Sequence, residues 1–319
     1  MHRVLLWADA SRNIGFGHFI RTLALAEILK DLYECIFFTQ SPNDYQRDQV
    51  KNICPLVELP SDDSKFDVFL SYLTGNEIVI LDNYFFTSSF EKCIKKKGCK
   101  LVSIGTNDRH YYADVVINYT DLRPSDFKAE PYTKFCIGLD WIILRSQFYM
   151  TSSNDKNGLI ICIGGTDQFC YTEKFYDQIH RIFPNIKISV IISDQIANQR
   201  IFNFSAKNIN VLLNLSAEQM AYALSSSQIA LVSASNVAIE ALSQHTQVIS
   251  GFYVHNQCNI YNSLKTAGYI WGVGDFQDDE CISRIISAIH DIQNGLKKRS
   301  FAALNTIDNY RILFNDLCK

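Results

Sequence analysis

Two glycines and a histidine, Gly15-Phe16-Gly17-His18, stand where a strand should turn into a helix, between the apolar run Val4–Trp7 and the helical stretch Thr22–Lys30. Glycine lets the backbone take positive φ and approach a ligand closely. The N-terminus of the following helix offers unpaired N–H groups to an anion. A histidine there can serve as a base near neutral pH, since its unperturbed pKa is about 6.5. The same residues equally suit a histidine that caps the helix or packs on the sheet, and spacing alone leaves both readings open. The dinucleotide fingerprint Gly-x-Gly-x-x-Gly is absent, because Ile20 stands at its third position.

Three further loops have suitable chemistry. Gly164-Gly165-Thr166-Asp167 follows the apolar run Leu159–Ile163 and is either a phosphate cradle or a plain tight turn. Ser233-Ala234-Ser235-Asn236 leads into a helix carrying Glu240, four residues beyond Asn236 and so on the same face. A carboxylate among the apolar neighbours Val237, Ile239 and Leu242 needs a partner, and ribose hydroxyls would supply one. His255-Asn256-Gln257-Cys258-Asn259 follows the run Val248–Tyr253 and offers amides suited to sugar hydroxyls. In the first half, Asp82-Asn83-Tyr84 closes the run Glu77–Leu81, where the tyrosine lines a sugar pocket or simply packs.

The elements that must position these loops alternate. Val4–Trp7, Cys35–Thr39, Glu77–Leu81, Leu101–Ile104 and Val115–Asn118 read as strands, and Phe90–Lys97 as a helix. After the polar stretch Thr151–Asn157 the alternation restarts. Leu159–Ile163, Ile186–Ile192, Ile229–Ser233 and Val248–Tyr253 read as strands; Glu173–Ile182, Ala217–Leu224 and Val237–Leu242 read as helices. Cys281–Ile292 and Leu304–Leu317 have helical spacing. Short apolar strands suit parallel sheets covered on both faces. The expected fold is therefore α/β, with two Rossmann-like, doubly wound domains at 1–150 and 157–319.

Composition narrows the function. The 319 residues include 30 basic and 33 acidic ones, with no basic stripe, so a nucleic-acid partner has no electrostatic support. Lys95-Lys96-Lys97 reads as a solvated helix end. The ten cysteines form no Cys-x-x-Cys pair and fit free thiols in a reducing compartment. No run approaches the roughly 18–20 apolar residues of a membrane span. The N-terminal apolar run is broken by Asp9, unlike a signal peptide. A cytoplasmic protein without cofactor or metal is the expectation; its oligomeric state is not legible.

Taken together, these pieces resemble the GT-B architecture. Asp9-Ala10-Ser11, then Ile14-Gly15-Phe16-Gly17-His18 and Arg21, resemble the opening of the UDP-2,4-diacetamido-2,4,6-trideoxy-β-L-altropyranose hydrolases of the pseudaminic acid pathway. Further pieces follow in order: Asp82 with Tyr84, Gly138 through Leu144-Arg145 to Phe148, Ile163–Asp167, Ser233–Ser235 with Glu240–Leu242, and Asn256-Gln257. The C-terminal motifs also resemble the N-acetylglucosaminyltransferase that makes lipid II. The resemblance implies that His18 is the base for the attacking water and that Tyr84 helps hold the sugar. It places Asp9, Gly15, Gly17, Arg21, Asn256 and Gln257 against the substrate. Gly164, Gly165, Thr166, Ser233, Ser235, Asn236 and Glu240 would hold UDP. Asn83, where the family often has histidine, and Thr106-Asn107-Asp108, where it often has paired acids, depart from the pattern, so the sugar-facing half diverges more than the nucleotide-facing half.

That chemistry is self-consistent. A nucleoside diphosphate is a good leaving group, its terminal phosphate having a pKa of roughly 6, so no strong general acid of the kind most glycosidases use is required. One histidine to activate water, and helix N-termini to receive the diphosphate, suffice without Mg²⁺. Attack opposite UDP implies inversion and requires the two domains to close on the sugar. The rival readings are a GT-B glycosyltransferase, in which His18 or Asp9 activates an acceptor hydroxyl, and a UDP-sugar binding protein without turnover.

Overall fold

A computed structural model describes residues 2–11, 15–150, 155–164, 167, 169–192, 209–298, 300–301 and 306–319. The chain divides into two compact units, Met1–Ser146 together with Leu304–Lys319, and Gln147–Ala303.

In the first unit the chain runs β1 (Arg3–Trp7), α1 (Gly17–Leu29), β2 (Glu34–Gln40), α2 (Asp44–Lys51), β3 (Leu56–Leu59), α3 (Ser64–Ser71), β4 (Ile78–Leu81), α4 (Ser88–Lys96) and β5 (Lys100–Ile104). It continues through β6 (His110–Tyr111), β7 (Val115–Asn118), β8 (Lys128–Ala129) and β9 (Lys134–Ile137). The main sheet is parallel, in the order β3-β2-β1-β4-β5-β7-β9, and β6 pairs with β8. Successive strand side chains point to opposite faces. Val4 and Leu6 accordingly enter a core with Phe19, Leu23 and Ile80, while Leu5 and Trp7 enter one with Phe69, Phe86 and Phe90. Val4, Leu5, Leu6 and Trp7 of β1 are fully buried, as a sheet covered on both faces requires. Sequence order reverses direction between β1 and β4, and the loops after those two strands form the topological switch point where open sheets bind ligands.

The second unit contains β10 (Leu159–Cys162), α5 (Tyr171–Ile182), β11 (Ile188–Ile192), β12 (Ile209–Leu213), α6 (Ala217–Ser225) and β13 (Ile229–Ser233). It ends with α7 (Asn236–Ser243), β14 (Gln247–Phe252), α8 (Cys258–Thr266), β15 (Ile270–Asp275) and α9 (Cys281–Gln293). Its parallel sheet has the order β12-β11-β10-β13-β14-β15, with the switch point between β10 and β13. The expected polar break at Thr151–Asn157 is not the boundary, which falls after Ser146. Of that stretch, residues 151–154 lie outside the described ones, and the rest belongs to the second unit. Lys156 Nζ donates to Ser225 O (2.7 Å) and Gln244 O (2.8 Å), a cation at the C-terminal ends of α6 and α7.

The last helix, α10 (Thr306–Leu317), corrects the expected domain range 157–319: it belongs to the first unit. Tyr310, Leu313 and Phe314 are buried in the core around α1, and Tyr310 Oη donates to Trp141 O at 2.6 Å. Its apolar stripe finds cover there rather than on the unit that precedes it in sequence.

Glu77 closes the amino end of β4. It accepts from Thr74 N (2.9 Å), Thr74 Oγ1 (2.6 Å), Gly75 N (3.0 Å) and Arg3 Nη1 (3.2 Å). Burial pushes its pKa up, but the Thr74 hydroxyl and the two amides outweigh burial and bring it from 4.5 down to about 2. A carboxylate lowered on folding stabilises above its unfolded pKa and loses that stabilisation as pH falls through the folded value. Glu77→Gln is expected to cost about 3 kcal/mol at pH 7, and the gap to the unmutated protein to close as pH falls from 4.5 toward 2. Urea denaturation across that range measures it.

Candidate active site

The loops after β1 and β4 meet at the first switch point around one buried carboxylate. Asp82, fully buried, accepts from His18 Nδ1 (2.6 Å), Arg21 Nε (2.5 Å), Arg21 Nη2 and Thr22 Oγ1 (2.8 Å). Burial alone would raise Asp82; the Arg21 guanidinium and His18 at its oxygens outweigh burial and hold it well below the usual carboxylate range. Arg21 Nη2 and His18 Nδ1 are 2.9 Å apart. A guanidinium only donates, so the two N–H groups converge on the carboxylate rather than bond to each other. The ionised carboxylate accepts only, so Nδ1 carries the ring proton and a neutral imidazole keeps its lone pair on Nε2.

Helix geometry brings this about. His18, Arg21 and Thr22 occupy the first turns of α1 at spacings of three and four, so they share a face. Gly15 adopts φ +77° and lets the chain turn into the helix, and Gly15 N donates to Ser11 O at 2.8 Å. Gly17 is the first helical residue and is not among the positive-φ glycines, so the expected conformational role falls to Gly15 alone. His18 is 5% exposed, and its ring meets that of Tyr84 edge-on at 4.5 Å. Tyr84 itself is 47% exposed, at the mouth of the site.

Arg21 is expected from the sequence to face the substrate, yet its guanidinium is engaged inward, by Asp82 and by Tyr119 Oη (2.5 Å). Sequence reasoning assigned no role to Asp82, Thr22 or Tyr119. An acidic residue at the carboxyl end of the strand that pairs with β1 was the available signal for Asp82. Asp9 is 3% exposed; its Oδ1 accepts from Gln40 N (2.8 Å), Trp7 Nε1 (3.1 Å) and Thr39 Oγ1 (3.4 Å). Burial raises its pKa.

In the second unit, the second switch point gathers three of the expected loops. Gly164 has φ +118°, and a Cβ there would lie 3.7 Å from Tyr253 Oη and 3.9 Å from Ser233 Oγ. The remainder of that turn, Gly165 and Thr166, falls outside the described residues. Asp167 caps α5: its Oδ1 accepts from Tyr171 N (2.9 Å) and its Oδ2 from Thr172 N (3.1 Å). The chain's own carboxylate therefore occupies the first amides of α5. α7 differs, since Ser235 is its N-cap without a side-chain capping bond and lies 3.2 Å, oxygen to oxygen, from Ser233. Asn236 opens that helix, and Glu240 is buried on it. In the third loop Asn256 is exposed, whereas Gln257 is buried and its Oε1 accepts from Tyr253 N at 3.1 Å. Asp167→Ala is expected to lower stability by about 1–2 kcal/mol, and Asp167→Asn by less, on thermal denaturation.

Among the described residues, no group of three or more His, Cys, Asp or Glu has the arrangement of a metal site, and no helix is long and apolar enough to cross a membrane.

Two doubly wound units of this kind define the GT-B fold class. Acinetobacter baumannii MurG matches with a TM-score of 0.63 at 12% identity, covering 99% of this chain and 100% of that one. Arabidopsis thaliana UGT89C1 in complex with quercetin matches with 0.67 at 10%, covering 99% of both. No family model matches the chain. A curated protein of Campylobacter jejuni subsp. jejuni serotype O:2, UDP-2,4-diacetamido-2,4,6-trideoxy-beta-L-altropyranose hydrolase, is 27% identical over 277 residues, 84% of this chain and 97% of that one. The chain is a homologue of that hydrolase, as its opening motif implies. An uncharacterised protein of Methanocaldococcus jannaschii is 27% identical over 206 residues, 60% of this chain and 42% of its own length.

Proposed function

We propose that the protein hydrolyses a UDP-linked 2,4-diacetamido-2,4,6-trideoxy sugar at the anomeric carbon, releasing UDP and the free sugar with inversion. The observation that carries this reading is the Asp82–His18 pair, which leaves a basic nitrogen on a histidine at a ligand-binding switch point. Homology to the C. jejuni hydrolase supports the substrate class.

His18 Nε2 takes a proton from water as the water oxygen bonds to C1. The C1–O bond to the diphosphate breaks, and its electron pair leaves on the β-phosphate of UDP. Asp82 orients the ring and balances the imidazolium that forms, the division of labour seen in nucleophile–base–carboxylate arrays. Tyr84, beside the His18 ring, contacts the sugar, with Asp9, Gly15, Asn256 and Gln257 as further substrate contacts. Arg21, itself held by Tyr119 Oη, keeps Asp82 in place. In the second unit the Gly164 turn, Gly165, Thr166, Ser233, Ser235, Asn236 and the N-terminus of α7 receive the diphosphate, and Glu240 the ribose. N–H groups at such a terminus meet the diphosphate charge, so the mechanism calls for no metal. The product would enter nonulosonate synthesis of the pseudaminic acid type in the cytoplasm.

A GT-B glycosyltransferase is the second reading, favoured by the fold likeness to MurG and UGT89C1. Incubation with the UDP-sugar, EDTA and no acceptor, followed by NMR of the anomeric proton, separates the two. Free sugar of inverted configuration is the expected result. Turnover only after an acceptor is added would replace hydrolysis with transfer.

A further inference from the structure

Two buried polar atoms at the first switch point have no hydrogen-bond partner among the described residues: Asp9 Oδ2 and Asn83 Nδ2. Their residues are 3% exposed each and are joined directly, since Asp9 N donates to Asn83 Oδ1 at 2.6 Å. That bond fixes the orientation of the amide, because a backbone N–H must meet the carbonyl oxygen; the orphan is therefore the –NH₂ donor. On Asp9 the three donors all converge on Oδ1, leaving Oδ2 as the orphan acceptor. Nearly all buried polar atoms in folded proteins are paired, and each exception costs about 1–3 kcal/mol. Here a donor and an acceptor are both left over, in the loops after the paired strands β1 and β4, Asn83 being the residue next to Asp82.

We infer that Asp9 and Asn83 together form a subsite for an N-acylamino group of the sugar, Asp9 Oδ2 accepting from its N–H and Asn83 Nδ2 donating to its C=O. A secondary amide presents one donor and one acceptor on opposite edges, which matches two separate orphans of opposite kind. Shielding from water makes each of these bonds count for more, and makes a ligand lacking the amide leave them unsatisfied. The inference rests on the UDP-sugar reading above, and it assigns Asn83, where the resembling family often has histidine, to sugar selection.

Equilibrium binding by calorimetry tests it, with His18→Ala in every sample so that nothing turns over. The probes are UDP, the UDP-linked 2,4-diacetamido-2,4,6-trideoxy sugar, and the same nucleotide with hydroxyls in place of both acetamido groups. The diacetamido ligand is expected to bind at least about tenfold more tightly than the dihydroxy one. Asp9→Asn keeps the occupied oxygen and turns the orphan acceptor into a donor; Asn83→Leu removes the orphan donor. Each should bring the two sugars to within about threefold of one another, with UDP affinity unchanged. Equal binding of the two sugars without either substitution, or a preference that survives both, overturns the inference. So does a diacetamido sugar that adds nothing to the affinity of UDP. The hydrolase reading is judged separately, by turnover of the protein with His18 intact: discrimination without turnover keeps the subsite and removes the reaction.

Discussion

His18→Ala is expected to lower kcat for UDP release about a thousandfold while leaving UDP affinity unchanged. The size follows from losing a positioned general base, which contributes roughly 10²- to 10⁴-fold. UDP affinity should hold because the nucleotide is assigned to the loops at Gly164, Ser233–Asn236 and Glu240, all in the second unit. The drop should appear equally in kcat and kcat/KM, the pattern of an interaction made in the transition state. Stopped assays of UDP release beside calorimetric titration with UDP measure both. A His18→Ala protein that hydrolyses at the normal rate would remove His18 from the mechanism.

The second large effect belongs to Asp82. Asp82→Asn keeps the shape but replaces an acceptor of four donors by a group that accepts on one side only. The His18 ring is then free to carry its proton on Nε2, the wrong nitrogen for a base. A loss of about 10³- to 10⁴-fold in kcat is expected, comparable to other carboxylates that set a catalytic histidine's tautomer. Asp82→Ala should in addition cost about 3–5 kcal/mol of stability, because it strands the inward-facing Arg21 cation. The sign of the pH dependence follows from the same contacts. Asp82 is held below its ordinary pKa in the folded state, so its stabilisation is present above the unfolded value and fades as pH falls. The unmutated protein should therefore lose its advantage over Asp82→Ala in acid, as read by urea denaturation at pH 7 and below pH 4.

Much of this was legible in the sequence. Runs such as Val4–Trp7 and Ile229–Val232 are apolar at every position because both faces of a parallel sheet are covered, and they fold as strands as expected. β12, by contrast, is an edge strand with two exposed hydrophobic residues, Val211 and Leu213, and no uniform pattern to announce it. α2 is polar along most of its length and is defined by the Asn43–Gln46 capping box rather than by an apolar stripe. The histidine loop could be singled out from its residue types. Its pairing with Asp82 could not, because Asp82 is sixty-four residues from His18 and becomes its neighbour only when β4 pairs with β1. The same long-range pairing turned Arg21 inward and left Asp9 and Asn83 with one unpartnered atom each among the described residues. The capping of α5 by Asp167 was local in sequence, but a Gly-Gly-Thr-Asp turn reads alike whether its carboxylate seats on the helix or not.

Isotope tracing in H₂¹⁸O tests the central claim most directly. The UDP-linked diacetamido sugar is incubated with the protein and EDTA, without acceptor, and both products are weighed by mass spectrometry. Attack of water on the anomeric carbon predicts one ¹⁸O in the free sugar and none in UDP. Label in UDP would mean cleavage at phosphorus and contradict the roles given to His18 and Asp82. No free sugar until an acceptor is supplied would mean that this fold transfers the sugar rather than hydrolysing it.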